Sequence, residues 1–324
     1  MEERFILECR GVRHWFGDRR RDTRKNVLYD INLKIIPGEI VSLVGPSGCG
    51  KSTLLRAIVG THPPREGNVL IYPKEQPHRE EVVSSPSRKI GIVYQRYSLF
   101  PFLTALKNVA IGPLLDQTSI PFRLFKAFSW RKIRKEHLQE AKELLEKIGL
   151  GDAINQYPSQ MSGGMCQRVA IAQALIMKPE VLLLDEPFGA LDEATREELQ
   201  KMLLTLYLEN LEARRDGKRC PYTVLIVTHE LNEAIYVGDR VVGLSQYWNW
   251  KEKDHQEFPG ATIIYDRVAP VYGPDQERNF GEFFKQRNEI RKVVFEPTFC
   301  QDAEQFKTFW QQVKDGKGEG VLNA

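Results

Sequence analysis

The stretch GPSGCGKST, residues 45–53, leaves this chain few folds to choose from. It fits G-x-x-x-x-G-K-[ST] through Gly45, Gly50, Lys51 and Ser52. EIVSLVG, an apolar run that reads as a buried strand, leads into it, and KSTLLRAIVG leads out with helical spacing. A glycine-rich turn without function would not need both flanks. Glycines let successive N–H groups curl around phosphate oxygens, which side chains would obstruct. Lys51 would reach the β- and γ-phosphates, and the Ser52 hydroxyl would face Mg²⁺. Gly45, Pro46, Ser47, Gly48, Cys49, Gly50, Lys51, Ser52 and Thr53 are therefore the candidate phosphate cradle.

Residues 4–12 and 27–36 read as short strands, joined by the basic loop GDRRRDTRKN, a solvated hairpin loop. GNVLIY and KIGIVYQ are further strands. From about residue 96 to 178 the pattern turns helical, with RKEHLQEAKELLEKIGL stopping at Gly149. VLLLDEP, TVLIVTHE and RVVGLS then alternate with helices. That order predicts an α/β core with a parallel sheet and an inserted helical subdomain. We draw the domain as residues 1–246. Residues 247–324 form a C-terminal extension of unknown role, with QYWNWKEKDHQEFPG as a linker, ATIIYDRV as a strand and GEFFKQRNEIRKVVF as a helix.

Three strand ends offer residues that could carry chemistry. Four apolar residues deliver Asp185 and Glu186 to a C-terminal strand end, where open α/β sheets bind ligands. Asp185 can hold Mg²⁺, directly or through water. Glu186 can orient an attacking water or accept its proton. His229 follows TVLIVT and Gln95 ends KIGIVYQ in the same way; a lone histidine there is more often structural, and the Gln95 amide, which could ligate Mg²⁺ or a water, is by itself a weak signal. A second anion site is suggested by SQMSGGMCQRV, where Ser162, Gly163 and Gly164 open a helix with no lysine in the turn.

The bulk numbers exclude several classes. With 46 basic and 43 acidic residues the net charge is +3, no argument for nucleic acid. The 5 cysteines have no metal spacing, and a reduced compartment is expected. No run approaches the ~20 apolar residues of a membrane span, and the start lacks a signal-peptide pattern. The expected state is soluble, or peripheral through a partner.

The order of phosphate loop, strand-end Gln, helical segment, SGG helix start, apolar-Asp-Glu strand, GALD and strand-end His resembles the ATP-binding cassette (ABC) family, over roughly residues 5–245. The resemblance implies a P-loop ATPase core with an antiparallel N-terminal β subdomain, ATP and Mg²⁺ as ligands, and cassettes working in pairs. In such a pair, Ser162, Gly163 and Gly164 of one copy close over ATP held by the phosphate loop of the other. Lys51, Glu186 and His229 would be catalytic, with His229 on the γ-phosphate. Ser52, Asp185 and Gln95 would serve Mg²⁺, with Gln95 linking it to the membrane partner. Asp192 would lie at the dimer seam. Phe16, in preference to Trp15, would stack on adenine, unless both are strand-end core aromatics.

MSGGM, Met161 to Met165, departs from the family's LSGGQ at both ends but keeps SGG. That Met165, and LLLDEPFGALDEATREEL, are similar to the nitrate, sulfonate and taurine importer branch. Cys166 and Gln173 depart from it, since arginine is frequent there. RYSLFPFLTALKNV reads as helical-segment core or as a groove for a short permease helix. PFRLFKAFSWRKIRK reads as a solvated insert or as a lipid-headgroup contact. The implied role is the ATP-hydrolysing subunit of a small-anion importer at the cytoplasmic membrane face, with a second cassette, two permease subunits and a solute-binding protein. A soluble cassette for iron–sulfur cofactor assembly is the alternative. Repair and translation cassettes carry a long coiled coil or a second cassette, which this sequence lacks, so no nucleic-acid partner is expected.

Overall fold

The computed structural model describes residues 5–17, 24–96, 98–119, 126–189, 191–251, 255, 257–270, 280–302 and 306–314. Its centre is a sheet whose strands are buried on both faces. Strands β3 (Ile40–Val44), β6 (Ile90–Val93), β7 (Val181–Asp185), β8 (Val224–Thr228) and β9 (Arg240–Ser245) are parallel. The order is β10-β9-β3-β8-β7-β6, with β10 (Thr262–Val268) antiparallel at the edge. Continuous apolar strands of this kind feed two cores alternately, because side chains alternate between faces. In β8, Val224 and Ile226 enter one core, and Leu225 and Val227 the other.

The second core lies between that sheet and an antiparallel sheet of β2 (Lys25–Ile35), β1 (Leu7–Phe16), β4 (Glu66–Ile71) and β5 (Glu81–Val82). Helix α1 (Lys51–Val59) packs into this core as well. β1 runs to Phe16, past the expected end at residue 12. Gly11 takes φ 58°, and the register with β2 and β4 shifts around it, so a bulge at glycine carries the strand onward where a stop was read. Residues 18–23 of the basic loop lie outside the described residues. The other core is covered by α2 (Ala105–Gln117), α3 (Ala127–Lys147), α4 (Gly163–Leu175), α5 (Glu193–Arg215) and α6 (Leu231–Val237).

Beyond residue 246 the chain is woven into this frame. The linker reading of QYWNWKEKDHQEFPG does not fit Trp248, which is 1% exposed and donates Nε1–H to Gly260 O at 3.0 Å. Ala261 bridges to Leu28 of β2, and β10 extends the central sheet. The expected tail helix is α7 (Phe280–Ile290) followed by a π-helical turn, Arg291–Phe295. A Cβ at Gly243 would lie 2.4 Å from Val294 Cγ2, so glycine in β9 lets this turn settle on the sheet.

The short helix α8 (Phe309–Lys314) closes a buried ionic cluster. Arg240, fully buried, pairs through Nε with Glu39 Oε1 (2.5 Å) and through a terminal nitrogen with Asp266 Oδ1 (2.8 Å). Phe309 N–H donates to the other Asp266 oxygen at 3.0 Å, and Trp310 Nε1–H to Lys34 O at 3.0 Å. Beside it, buried Asp239 accepts from Ile40 N–H at 2.7 Å.

Candidate functional site

β3 delivers the phosphate loop to the C-terminal edge of the sheet. At Gly45 a Cβ would sit 2.1 Å from Leu244 O, so the backbone of β9 presses directly on the loop. Gly50 caps α1 at φ 104°, in the left-handed region that favours glycine. A Cβ on Gly48 would meet nothing within 4 Å, so the loop opens outward there. Lys51 is buried at 8% exposure, and Nζ donates to Gly45 O (2.7 Å) and Pro46 O (3.0 Å). The ammonium is thus folded over its own loop, bonded to carbonyls that phosphate oxygens could replace. Ser47 and Ser52 are exposed, Pro46 and Thr53 half-buried. Cys49 is buried beneath the loop, and burial pushes its thiol up, which makes it a packing residue.

Asp185 ends β7. Burial and then neighbouring Glu186 push its carboxyl up, while Arg56 and Lys51 of the phosphate-loop helix pull it down. Glu186 follows at φ 49°, uncommon for a residue with a side chain. Its N–H still donates to Val227 O at 2.8 Å, so the strand ladder holds the residue while its conformation re-aims the carboxylate. Oε2 lies 2.7 Å from His229 Nδ1 at the end of β8. Gln95 lies in the exposed turn two residues beyond β6 rather than at the strand end itself. A Cβ at Gly189 would be 3.3 Å from Gln95 Nε2 and 3.5 Å from Glu186 Oε2, so the amide and carboxylate flank one glycine. Lys51, Asp185, Glu186, His229 and Gln95 are thereby brought to one edge.

The SGG tip has other neighbours. Ser162 caps α4, its Oγ accepting from Met165 N–H at 3.2 Å, and its own proton stays available to an anion. A Cβ at Gly164 would lie 1.6 Å from Thr195 Cγ2, whereas one at Gly163 would meet nothing within 4 Å. Gly164 is therefore fixed by packing against α5, and Gly163 is the open face. Met161 and Met165 pack against the core, which accounts for apolar residues there. Asp192 caps α5 at the same corner. It accepts from Thr195 N–H (3.0 Å) and Oγ1–H (2.8 Å), and those bonds hold its carboxyl below the usual range.

Phe16 is 40% exposed at the end of β1 and meets His14 edge-on at 4.9 Å. Trp15 instead lies 4.1 Å beneath the Arg24 guanidinium. Phe16 therefore has an open face for stacking and is not a core aromatic. RYSLFPFLTALKNV is not simply core either: Phe100 is 40% and Phe102 71% exposed. Asn108, which the sequence did not single out, fastens this segment by accepting from Phe100 N–H (2.8 Å) and donating to Leu103 O (2.9 Å). A short amide inside a helical run was the available signal. Residues 121–125 of PFRLFKAFSWRKIRK lie outside the described residues. The rest opens α3, with Phe128 88% exposed.

The donor set suits Mg²⁺. An exposed hydroxyl, a carboxylate and an amide are oxygen ligands, few enough to leave places for phosphate and water. Among the described residues no cluster of three or more His, Cys, Asp or Glu could hold a metal without such help.

A protein-family profile described as ABC transporter matches residues 28–189. An uncharacterised ABC transporter ATP-binding protein of Methanocaldococcus jannaschii is 41% identical over 222 residues, 68% of this chain and 72% of the relative. The aliphatic sulfonates import ATP-binding protein of Bacillus subtilis is 39% identical over 268 residues, 82% of this chain and 90% of the relative. Among solved structures, a dimeric post-hydrolysis state of an ATP-binding cassette bound to ADP and Pi superposes with a TM-score of 0.57 at 29% identity, covering 82% of this chain and 100% of that one.

Proposed function

Because the chain belongs to the ABC transporter family, we propose that it is the ATP-hydrolysing cassette of an importer for small anions such as sulfonate, nitrate or taurine. The observation that carries the reaction is the placement of Glu186 and His229, 2.7 Å apart, at the strand edge that also holds Lys51 and Asp185. Lys51 and the loop N–H groups bind the β- and γ-phosphates. Ser52, Asp185 and Gln95 would hold Mg²⁺, which would supply neutralisation of the phosphate charge. Glu186 takes a proton from the attacking water as its oxygen bonds to the γ-phosphorus and the bond to the ADP oxygen breaks. His229 steadies the γ-phosphate, and Phe16 stacks on the base.

The cassette acts with a second copy, whose Ser162–Gly163 tip completes the site from the far side. The related cassette solved as a dimer supports this arrangement. No helix among the described residues is long and apolar enough to cross a membrane. In this reading transport depends on two permease subunits, which the cassette meets at the cytoplasmic face, and on a solute-binding protein. The sulfonate import relative supports the anion class. Detergent-solubilised membranes should yield the chain together with a polytopic permease. Recovery of the native complex without detergent, with soluble assembly factors only, would overturn the importer reading.

A further inference from the structure

Beneath the Glu186–His229 pair runs a chain of polar contacts that the hydrolysis chemistry does not use. Thr228, the last residue of β8, is buried. Its hydroxyl accepts from Glu230 N–H at 3.0 Å, closing the turn that carries His229, and donates to Glu233 Oε2 at 3.1 Å. Glu233, on α6, is 5% exposed. Its other oxygen faces Arg196 Nε at 3.3 Å. Arg196 stands in the first turn of α5 and donates to Leu191 O at 3.2 Å, immediately before Asp192. The charged groups around Glu233 are Arg196, Glu230 and His229. The loop that meets a partner cassette is thus tied, through two side chains and one hydroxyl, to the histidine beside the cassette's own Glu186.

An ion pair between buried Glu233 and a 40% exposed Arg196 side chain is a poor device for stability alone, since desolvation of one partner and solvent screening of the other offset much of its attraction. This one is also loose. Neither Glu233 Oε1 nor Arg196 Nε makes a hydrogen bond, although they face each other. A small shift of Leu191 relative to α6 would tighten or open the contact. We propose that Glu233 is a positioning residue that couples the Leu191–Asp192 loop to the His229 turn, so that docking of a second cassette on that loop steadies the contact His229 already makes with Glu186. The inference rests on the reading of the chain as a cassette ATPase that works in pairs.

The test uses the full chain as wild type, Glu186→Gln, Glu233→Gln, Arg196→Met, Arg196→Lys and the Glu233→Gln/Arg196→Met double variant. Gln keeps an acceptor for Thr228 but loses the charge facing Arg196. Nucleotide affinity, kcat, KM and melting temperature are measured for each. Glu233→Gln and Arg196→Met should each lower kcat by about ten- to hundredfold, the scale for a misplaced catalytic group, with KM and ATP affinity unchanged. The double variant should be no worse than either single, because both break one contact. Arg196→Lys should retain most of the rate. Should Arg196→Met not fold, Glu233→Gln and Arg196→Lys alone still decide. A kcat within about twofold of wild type in Glu233→Gln overturns the coupling, as do losses that multiply in the double variant or a fall in ATP affinity that matches the fall in rate. If the wild type hydrolyses no ATP, or Glu186→Gln matches it, the cassette ATPase reading itself fails and the coupling falls with it.

Discussion

His229 Nδ1 lies 2.7 Å from Glu186 Oε2, and its Nε2 points away, 3.7 Å from Glu230 Oε1. An ionised carboxylate only accepts, so the contact fixes the proton of the neutral ring on Nδ1. The carboxylate proposed to handle the water and the ring proposed to meet the γ-phosphate thereby orient each other.

Glu186→Gln keeps the shape of this contact but cannot take a proton. Turnover should fall by about a hundredfold or more, the usual contribution of a general base. ATP affinity should hold, since a negative charge near the γ-phosphate is removed. The chain should then elute as an ATP-bound dimer in size-exclusion chromatography. Near-normal hydrolysis would remove Glu186 from the mechanism.

A mixed dimer tests whether the SGG tip acts on the other chain's nucleotide. Gly163→Asp is the informative tip variant, because a side chain at Gly164 collides with Thr195 whatever its charge. Paired with a Lys51→Ala chain, it leaves one site with a sound loop facing a sound tip. About one trapped ATP per dimer should be recovered, against almost none in either parent homodimer. Absence of trapping in heterodimers that demonstrably form would place the tip outside the site.

Asp239 gives a pH signature of the fold. Burial pushes its carboxyl to about 7 from an ordinary 3.8. The folded chain holds this proton where the unfolded chain has released it, so this group's contribution to stability falls as pH rises through that window and is flat above it. Urea denaturation of Asp239→Asn should lack that slope, up to about 1.4 kcal/mol per pH unit relative to wild type. Parallel wild-type and variant curves between pH 4 and 7 would show that Asp239 folds ionised.

Every motif lies upstream of residue 247, so truncation after residue 246 removes no candidate site residue. With β10, Trp248, Val294 and Trp310 packed as they are, the shortened chain should aggregate or lose its cooperative melting transition. A soluble truncated chain with wild-type ATP binding would contradict this.

What could be read from sequence was local. The phosphate loop, Asp185 and Glu186 announce themselves through the apolar runs beside them, and the alternating strands follow from the same runs. Trp248 could not be placed this way, because a tryptophan among polar residues acquires its burial from β2 and Gly260, far away in sequence or hidden by a turn. Gly164 reads as an anion contact until Thr195, 31 positions on, supplies the collision that explains it. Glu233 looks like a solvated helix residue because Thr228 and Arg196 reach it from two other elements.

The Arg240 cluster also sets a timetable for biosynthesis. Its guanidinium is neutralised by Glu39, made early, and by Asp266, whose own second oxygen is satisfied by Phe309 N–H. A ribosome adding about 5–20 residues per second needs roughly 4–14 seconds to travel from Arg240 to Trp310. Throughout that interval every motif residue has been made, yet a cation destined for complete burial lacks part of its shell. The nascent chain therefore stays short of its final packing around Arg240 until synthesis has passed Phe309 and Trp310.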